Sequence, residues 1–176
     1  MPPIVIIPRR IGDERGWFSE TYNARRLAEH GITNNFCQDN QSLTRAPGTL
    51  RGLHFQRAPH AQAKLVRVLR GAILDVAVDI RRSSPSYGRH VAVELTAENA
   101  LQLFIPAGFA HGFCTLTPDT EVAYKVTDLY APDCDRGFAW NDPDLALPWP
   151  FDAAAVQLSD KDRRAPRLRD LPTAFD

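Results

Sequence analysis

The chain has 176 residues, 44% of them apolar and 24% charged, with 21 basic and 21 acidic side chains in balance. That length accommodates one domain over residues 1–176 with a core that needs no covalent staples. The even charge excludes a general binder of nucleic acid or of membrane surfaces, so any anion must be held by locally placed cations. The N-terminal run Met1-Pro-Pro-Ile-Val-Ile-Ile-Pro8 has no basic stretch and no small-residue cleavage site, which argues against a signal peptide. No apolar run reaches the ~20 residues of a membrane span. Cys37, Cys114 and Cys134 are an odd set with no Cys-x-x-Cys pair, and a reduced, cytoplasmic setting suits them best.

In chain order, short β-branched runs predict strands at Ile4 to Ile7, Trp17 to Tyr22, Phe36 to Asn40, Thr49 to Gln56 and Lys64 to Leu69. Further strands are predicted at Ala72 to Ile80, His90 to Leu95, Leu101 to Ile105, Phe113 to Leu116 and Glu121 to Leu129. Turn clusters such as Arg45-Ala-Pro-Gly48 and Pro106-Ala-Gly108 separate them, a spacing that points to an antiparallel sandwich or barrel. One helix is predicted from Asn23 as N-cap to Gly31 as stop, and a second helical stretch after Ser159. In Ala72 to Ile80, Leu74, Val76, Val78 and Ile80 form a core face. The opposite face sets Asp75 and Asp79 among small apolar residues, either as a lining or as edge charge. The preceding strand alternates Lys64, Val66 and Val68 against Leu65, Arg67 and Leu69.

Four clusters could carry chemistry. They are Leu50-Arg-Gly-Leu-His-Phe-Gln56 with Gln62-Ala-Lys-Leu-Val-Arg67, Ile105-Pro-Ala-Gly-Phe-Ala-His-Gly-Phe113, Val122-Ala-Tyr-Lys-Val126, and Gln157-Leu-Ser-Asp-Lys-Asp162. Singly, each has a plainer reading: a strand His is more often structural, a mid-strand Tyr is usually core, and Ser-Asp-Lys-Asp usually opens a solvated helix. Their joint order changes the odds. With Asp13-Glu-Arg-Gly-Trp-Phe18, Gln38-Asp-Asn-Gln-Ser42, Asp75 to Arg81, Ser84 to Gly88 and Trp140 to Pro143, they resemble the successive motifs of the dTDP-4-dehydrorhamnose 3,5-epimerase family, almost from end to end.

The resemblance implies an all-β fold, a jelly-roll of the cupin superfamily, built as a β-sandwich or barrel with a few short helices. It implies no cofactor. The cupin metal pattern needs converging His and Glu ligands, whereas His54-Phe-Gln56 has no second His and His60 lies in a Pro-containing loop. By the same resemblance His54 is the base, oriented by Asp162, Tyr124 is the acid, and Lys64 is the cation beside the enolate. Imidazole, with a reference pKa of about 6.5, suits the base, and phenol at about 10 suits the donor.

The nucleotide half would be held by Arg15, Glu20, Gln38, Asp39, Asn40, Arg51, His111 and Lys161, with Tyr130 stacking on thymine and Asp135 as an acidic contact. A homodimer is implied, with an N-terminal arm, Ile4 to Ile7 and Trp17 to Tyr22, crossing to the neighbouring subunit. Ala63 stands where the family commonly has Gly, beside Lys64, and is expected to tighten the pocket. Strict alternation sets Arg51 and His54 on opposite faces, so a bulge near Gly52 is needed if both meet one ligand. The expected reaction is inversion at C3 and C5 of a dTDP-4-keto-6-deoxy sugar. The alternatives are a one-centre epimerase or 3,4-ketoisomerase of secondary metabolism, a non-catalytic sugar-nucleotide-binding cupin, and a metal-dependent cupin oxygenase.

Overall fold

Period-two burial along the chain resolves, in a computed structural model that describes residues 1–176, into two five-stranded antiparallel sheets facing each other. The first sheet runs, in spatial order, β1 (Ile4–Ile6), β9 (Gln102–Ile105), β6 (Lys64–Arg70), β11 (Thr120–Val126) and β4 (Gln38–Thr44). The second runs β12 (Asp135–Gly137), β5 (Leu50–Gln56), β10 (Phe109–Thr115), β7 (Ala72–Asp79) and β8 (His90–Thr96). A separate hairpin joins β2 (Arg10–Asp13) to β3 (Gly16–Ser19). The helices are α1 (Ala24–Glu29) and α2 (Asp160–Arg163). This is the antiparallel sandwich that the strand spacing predicts, and the jelly-roll that the family resemblance implies.

Three apolar clusters hold the layers. Between the sheets lie Val66, Val68 and Val122 from one wall and Ile73, Ala77 and Phe113 from the other. Burying each large apolar side chain contributes about 1.5–3 kcal/mol. Behind the second sheet, Leu53, Phe55, Val76 and Val78 are covered by Phe138, Trp140 and Leu168 of the C-terminal segment. Behind the first, Leu65 and Phe104 receive Leu27 of α1 and Ile32. The β7 face predicted to be core is therefore the one beneath the C-terminal segment, while the face carrying Asp75 and Asp79 looks into the sandwich.

Both helices start as predicted. Asn23 Oδ1 accepts from the Arg25 and Arg26 N–H groups at 3.0 and 3.3 Å, and Ser159 Oγ accepts from Asp162 N–H at 3.1 Å. Several strand bounds differ. β4 begins at Gln38 and runs on to Thr44, β11 stops at Val126, and β10 begins at Phe109, so His111 lies mid-strand rather than after a turn. β2 and β12 were not predicted. β1 pairs with β9 of its own chain, which leaves β2 and β3 as the only strands of the N-terminal arm outside the two sheets.

Candidate active site

The bulge needed near Gly52 is present. Opposite β10, Arg51 pairs with Phe113 and His54 with His111, so β5 spends three residues where β10 spends two. The extra residue turns Arg51 and His54 to the same side. Gly52 has φ +127°, and a Cβ there would collide with Gly112 Cα and approach His111 O to 2.7 Å. Only glycine fits that close crossing of β5 and β10.

Between the sheets this register opens a cavity of about 460 Å³, lined by Arg51, His54, Lys64, His111, Tyr124 and Asp162 among others. A smaller cavity of about 190 Å³ shares His54, Lys64 and Tyr124 and adds Gln38, Asn40, Tyr130 and Asp135. The two are lobes of one cleft. His54 stands on the second sheet, and Lys64 and Tyr124 stand on the first.

His54 Nε2 lies 2.5 Å from Asp162 Oδ1, at the start of α2. A proton on Nε2 leaves the Nδ1 lone pair for chemistry. Burial alone would raise the Asp162 carboxyl, but its bonds to His54, Ser159 and the Gly52 N–H bring it below the ordinary value. Lys64 is buried with only the His54 carbonyl at 3.4 Å as a partner. Burial lowers its pKa from 10.5 to about 8, against the opposing charges of Asp75 and Asp135. Burial also raises the Tyr124 hydroxyl, with Arg51 pulling the other way. His111 is held below its ordinary value by burial, and its Nε2 lies 2.5 Å from Asp75 Oδ1.

The remaining predicted site residues divide into two groups. Arg51 reaches Thr44 Oγ1 at 3.3 Å in the larger lobe. In the smaller lobe Asp135 Oδ2 receives the Tyr130 hydroxyl at 3.3 Å and the Lys161 ammonium, and Gln38 Nε2 donates to Asn40 Oδ1 at 2.9 Å. Three predicted residues lie outside the cleft of this chain. Asp39 alternates to the outer face of the sheet, where Lys125 Nζ binds it at 2.8 Å. Arg15 pairs with Asp13, and Glu20 with Arg26 at 3.2 Å, both on the exposed arm.

Ala63 is also corrected. Its methyl packs with Leu27 and Ile32 behind the sheet, so it does not narrow the pocket. Unpredicted lining residues include Ser42, whose Oγ is buried without a partner, and Gln157. Alternation from Asn40 would have exposed Ser42 to notice. No group of three or more His, Cys, Asp or Glu converges as a metal-ligand set, and no helix is long and apolar enough to cross a membrane.

The sequence profile described as dTDP-4-dehydrorhamnose 3,5-epimerase matches residues 3–170. A dTDP-4-dehydrorhamnose 3,5-epimerase of Sinorhizobium fredii is 50% identical, over 97% of this chain and 87% of that protein. The crystal structure of dTDP-4-dehydrorhamnose 3,5-epimerase from Bacillus anthracis, with TDP and PPi bound, superposes with a TM-score of 0.91 at 50% identity, covering 94% of this chain and 93% of the other. That of dTDP-6-deoxy-D-glucose-3,5-epimerase from Legionella pneumophila, in complex with dTDP-4-keto-L-rhamnose, does so with a TM-score of 0.92 at 47% identity, covering 97% and 89%. With the profile covering nearly the whole chain and a relative half identical over almost its full length, the chain belongs to the dTDP-4-dehydrorhamnose 3,5-epimerase family.

Proposed function

We propose that this protein converts dTDP-4-dehydro-6-deoxy-D-glucose to dTDP-4-dehydro-L-rhamnose by inverting C3 and C5, using its own side chains for every proton transfer. The observation that carries the mechanism is the placement of an oriented imidazole and a phenol on opposite walls of one cleft.

The C4 ketone acidifies the protons on C3 and C5. His54 Nδ1 takes one of them, the C–H electron pair becomes the C=C bond to C4, and the carbonyl π pair moves to the C4 oxygen. The Asp162 carboxylate stabilises the imidazolium that results. Lys64, as ammonium, stands for the enolate oxygen, where preorganised charge is worth most. Tyr124 delivers its proton to the opposite face of the carbon, which inverts it. The imidazolium and phenolate then exchange protons with solvent before the second centre reacts. Burial keeps Tyr124 protonated at neutral pH, as a donor must be.

Arg51 suits the pyrophosphate, because guanidinium binds phosphate oxygens in bidentate fashion. Tyr130, braced by Asp135, suits the thymine ring. Arg15 and Glu20, on the exposed arm, would complete the nucleotide site of a second subunit. Cys114 and Cys134 are buried and unpaired, which supports work in a reducing cytoplasm.

The test is NMR of dTDP-4-keto-6-deoxyglucose with enzyme in deuterium oxide, following C3 and C5 separately. Deuterium should enter both positions and the rhamno product should form; exchange confined to C3 would replace the reading with a one-centre epimerase. Tyr124→Phe should keep some wash-out of protons yet lose most inversion. Equal loss of both would remove Tyr124 as the dedicated donor.

A further inference from the structure

Behind the His54 and Asp162 pair lies a second histidine–carboxylate pair to which the mechanism assigns no task. Asp75 is fully buried in the middle of β7 and faces into the sandwich. Its Oδ1 lies 2.5 Å from His111 Nε2, while its Oδ2 is buried with no partner. The His111 ring lines the larger lobe of the cleft. A buried carboxylate with one bare oxygen is costly unless its charge is balanced nearby. Lys64, a buried cation on the opposite sheet, lines the same lobe as His111 and itself has one long bond to a carbonyl.

We propose that Asp75 is a positioning residue of this site: it fixes His111 through Nε2, so that Nδ1 meets the substrate as an acceptor, and its negative charge is the counter-ion that keeps Lys64 cationic. The proposal rests on the epimerase reading for what the substrate is, but not for the pairing itself. It changes the expected role of His111. Burial keeps that ring neutral near pH 7, so with the proton on Nε2 the cleft-facing nitrogen carries a lone pair. A lone pair accepts from a sugar hydroxyl and repels a pyrophosphate oxygen. His111 therefore belongs to the sugar half of the site.

The groups around Lys64 allow the charge assignment to be read directly. The Asp75 carboxylate on β7 and the Asp135 carboxylate on β12 favour its proton, and the Lys161 cation on α2 opposes it. From the cleft lining, His54 and Arg51 on β5, His111 on β10, Tyr124 on β11 and Asp162 on α2 also face this space. Asp75→Asn preserves shape, removes the charge and keeps one acceptor oxygen for the His111 Nε2–H. The chain has just three lysines, Lys64, Lys125 and Lys161, so a protein labelled with [13Cε]lysine gives three signals.

The Lys64 signal should titrate at least about one pH unit lower in Asp75→Asn, a tenfold loss of proton affinity, while Lys125 and Lys161 stay in place. An unmoved Lys64 midpoint in a folded Asp75→Asn variant overturns the proposal. Should that variant not fold, the 15N-histidine spectrum of the unaltered protein decides alone. A neutral His111 protonated on Nε2 supports the assignment, and one protonated on Nδ1 overturns it. Neither measurement uses turnover. A protein that failed to epimerise the dTDP-sugar would lose the epimerase reading and keep the Asp75 pairing.

Discussion

Burial of the Lys64 ammonium lowers its pKa from 10.5 to about 8, which corresponds to about 3 kcal/mol against the charged form. The unfolded chain binds the extra proton between those two values, so the contribution to stability rises with pH across that window and the full penalty applies below about 8. Lys64→Met should therefore be more stable than the parent by roughly 1–3 kcal/mol at pH 7, with the gap closing towards pH 10. Its catalysed exchange should fall by at least about 100-fold. Denaturant unfolding at both pH values checks the first part; a variant no more stable at pH 7 would mean that the cleft solvates the ammonium. In the parent, activity should decline as pH rises through about 8, because the enolate needs the protonated lysine. His54→Ala should abolish hydrogen exchange at C3 and C5 alike while binding dTDP nearly as before. Asp162→Asn should cost less, since that group orients the imidazole without touching substrate. Residue identity made His54, Tyr124 and Lys64 legible through motif order. Asp39 lies outside its own chain's cleft because strand alternation sets Gln38 and Asn40 on one face and Asp39 on the other, which the motif alone does not show. Asp75 was half legible: alternation turned it inward, but its partner His111 is distant in sequence and on another strand.

At the scale of elements, the β5 bulge decides whether the site exists, because it brings Arg51 and His54 into one register. Gly52→Ala would place a methyl against Gly112 and His111 O at a φ of +127°. The expected cost is on the order of 2–4 kcal/mol, with activity lost beyond what unfolding explains. A folded Gly52→Ala protein with normal turnover would show that the crossing of β5 and β10 tolerates a side chain. Alternation and turn residues made most strands legible, notably β5 to β9. The failures share a cause. Phe109–Thr115 is buried at every position, so β10 shows no period of two, and its start was hidden beside the Pro-Gly turn. Arg10–Asp13 is exposed throughout and β12 has only three residues, so neither gives a burial pattern. α1 and α2 were legible because Asn23 and Ser159 act locally, through bonds to N–H groups two or three residues on.

The whole molecule leaves one part without a seat. The β2–β3 hairpin pairs only with itself, and Trp17 and Phe18 on its second strand are 62% and 69% exposed. Arg10 ties it to the body of the chain by donating to Glu98 O at 2.7 Å and to Ala97 O, and its guanidinium lies 4.2 Å from the centroid of the Trp17 ring on the neighbouring strand. Ile7 before it and Ile11 on it are also exposed, and four large apolar side chains exposed on one arm are the kind of surface that marks a protein interface. Arg15, which the family resemblance puts in the nucleotide half, sits on this arm and outside its own chain's cleft. A dimer in which each hairpin lies against the partner would cover the aromatics and bring Arg15 to the other chain's His54. Because Ile4–Ile6 pairs within its own sheet, such an exchange would be confined to the segment from Arg10 onward. The prediction is tested by complementation with Arg15→Ala and His54→Ala, each expected to be nearly inactive alone. Co-expression with random equal pairing makes half the dimers mixed, and each mixed dimer has one intact site and one with both lesions, so roughly a quarter of all sites should recover. If the hairpin served its own chain, every site would carry a lesion and a mixture proven to contain mixed dimers would stay inactive. Recovery near a quarter also distinguishes reciprocal exchange from simple stabilisation by the partner, which would raise all sites together.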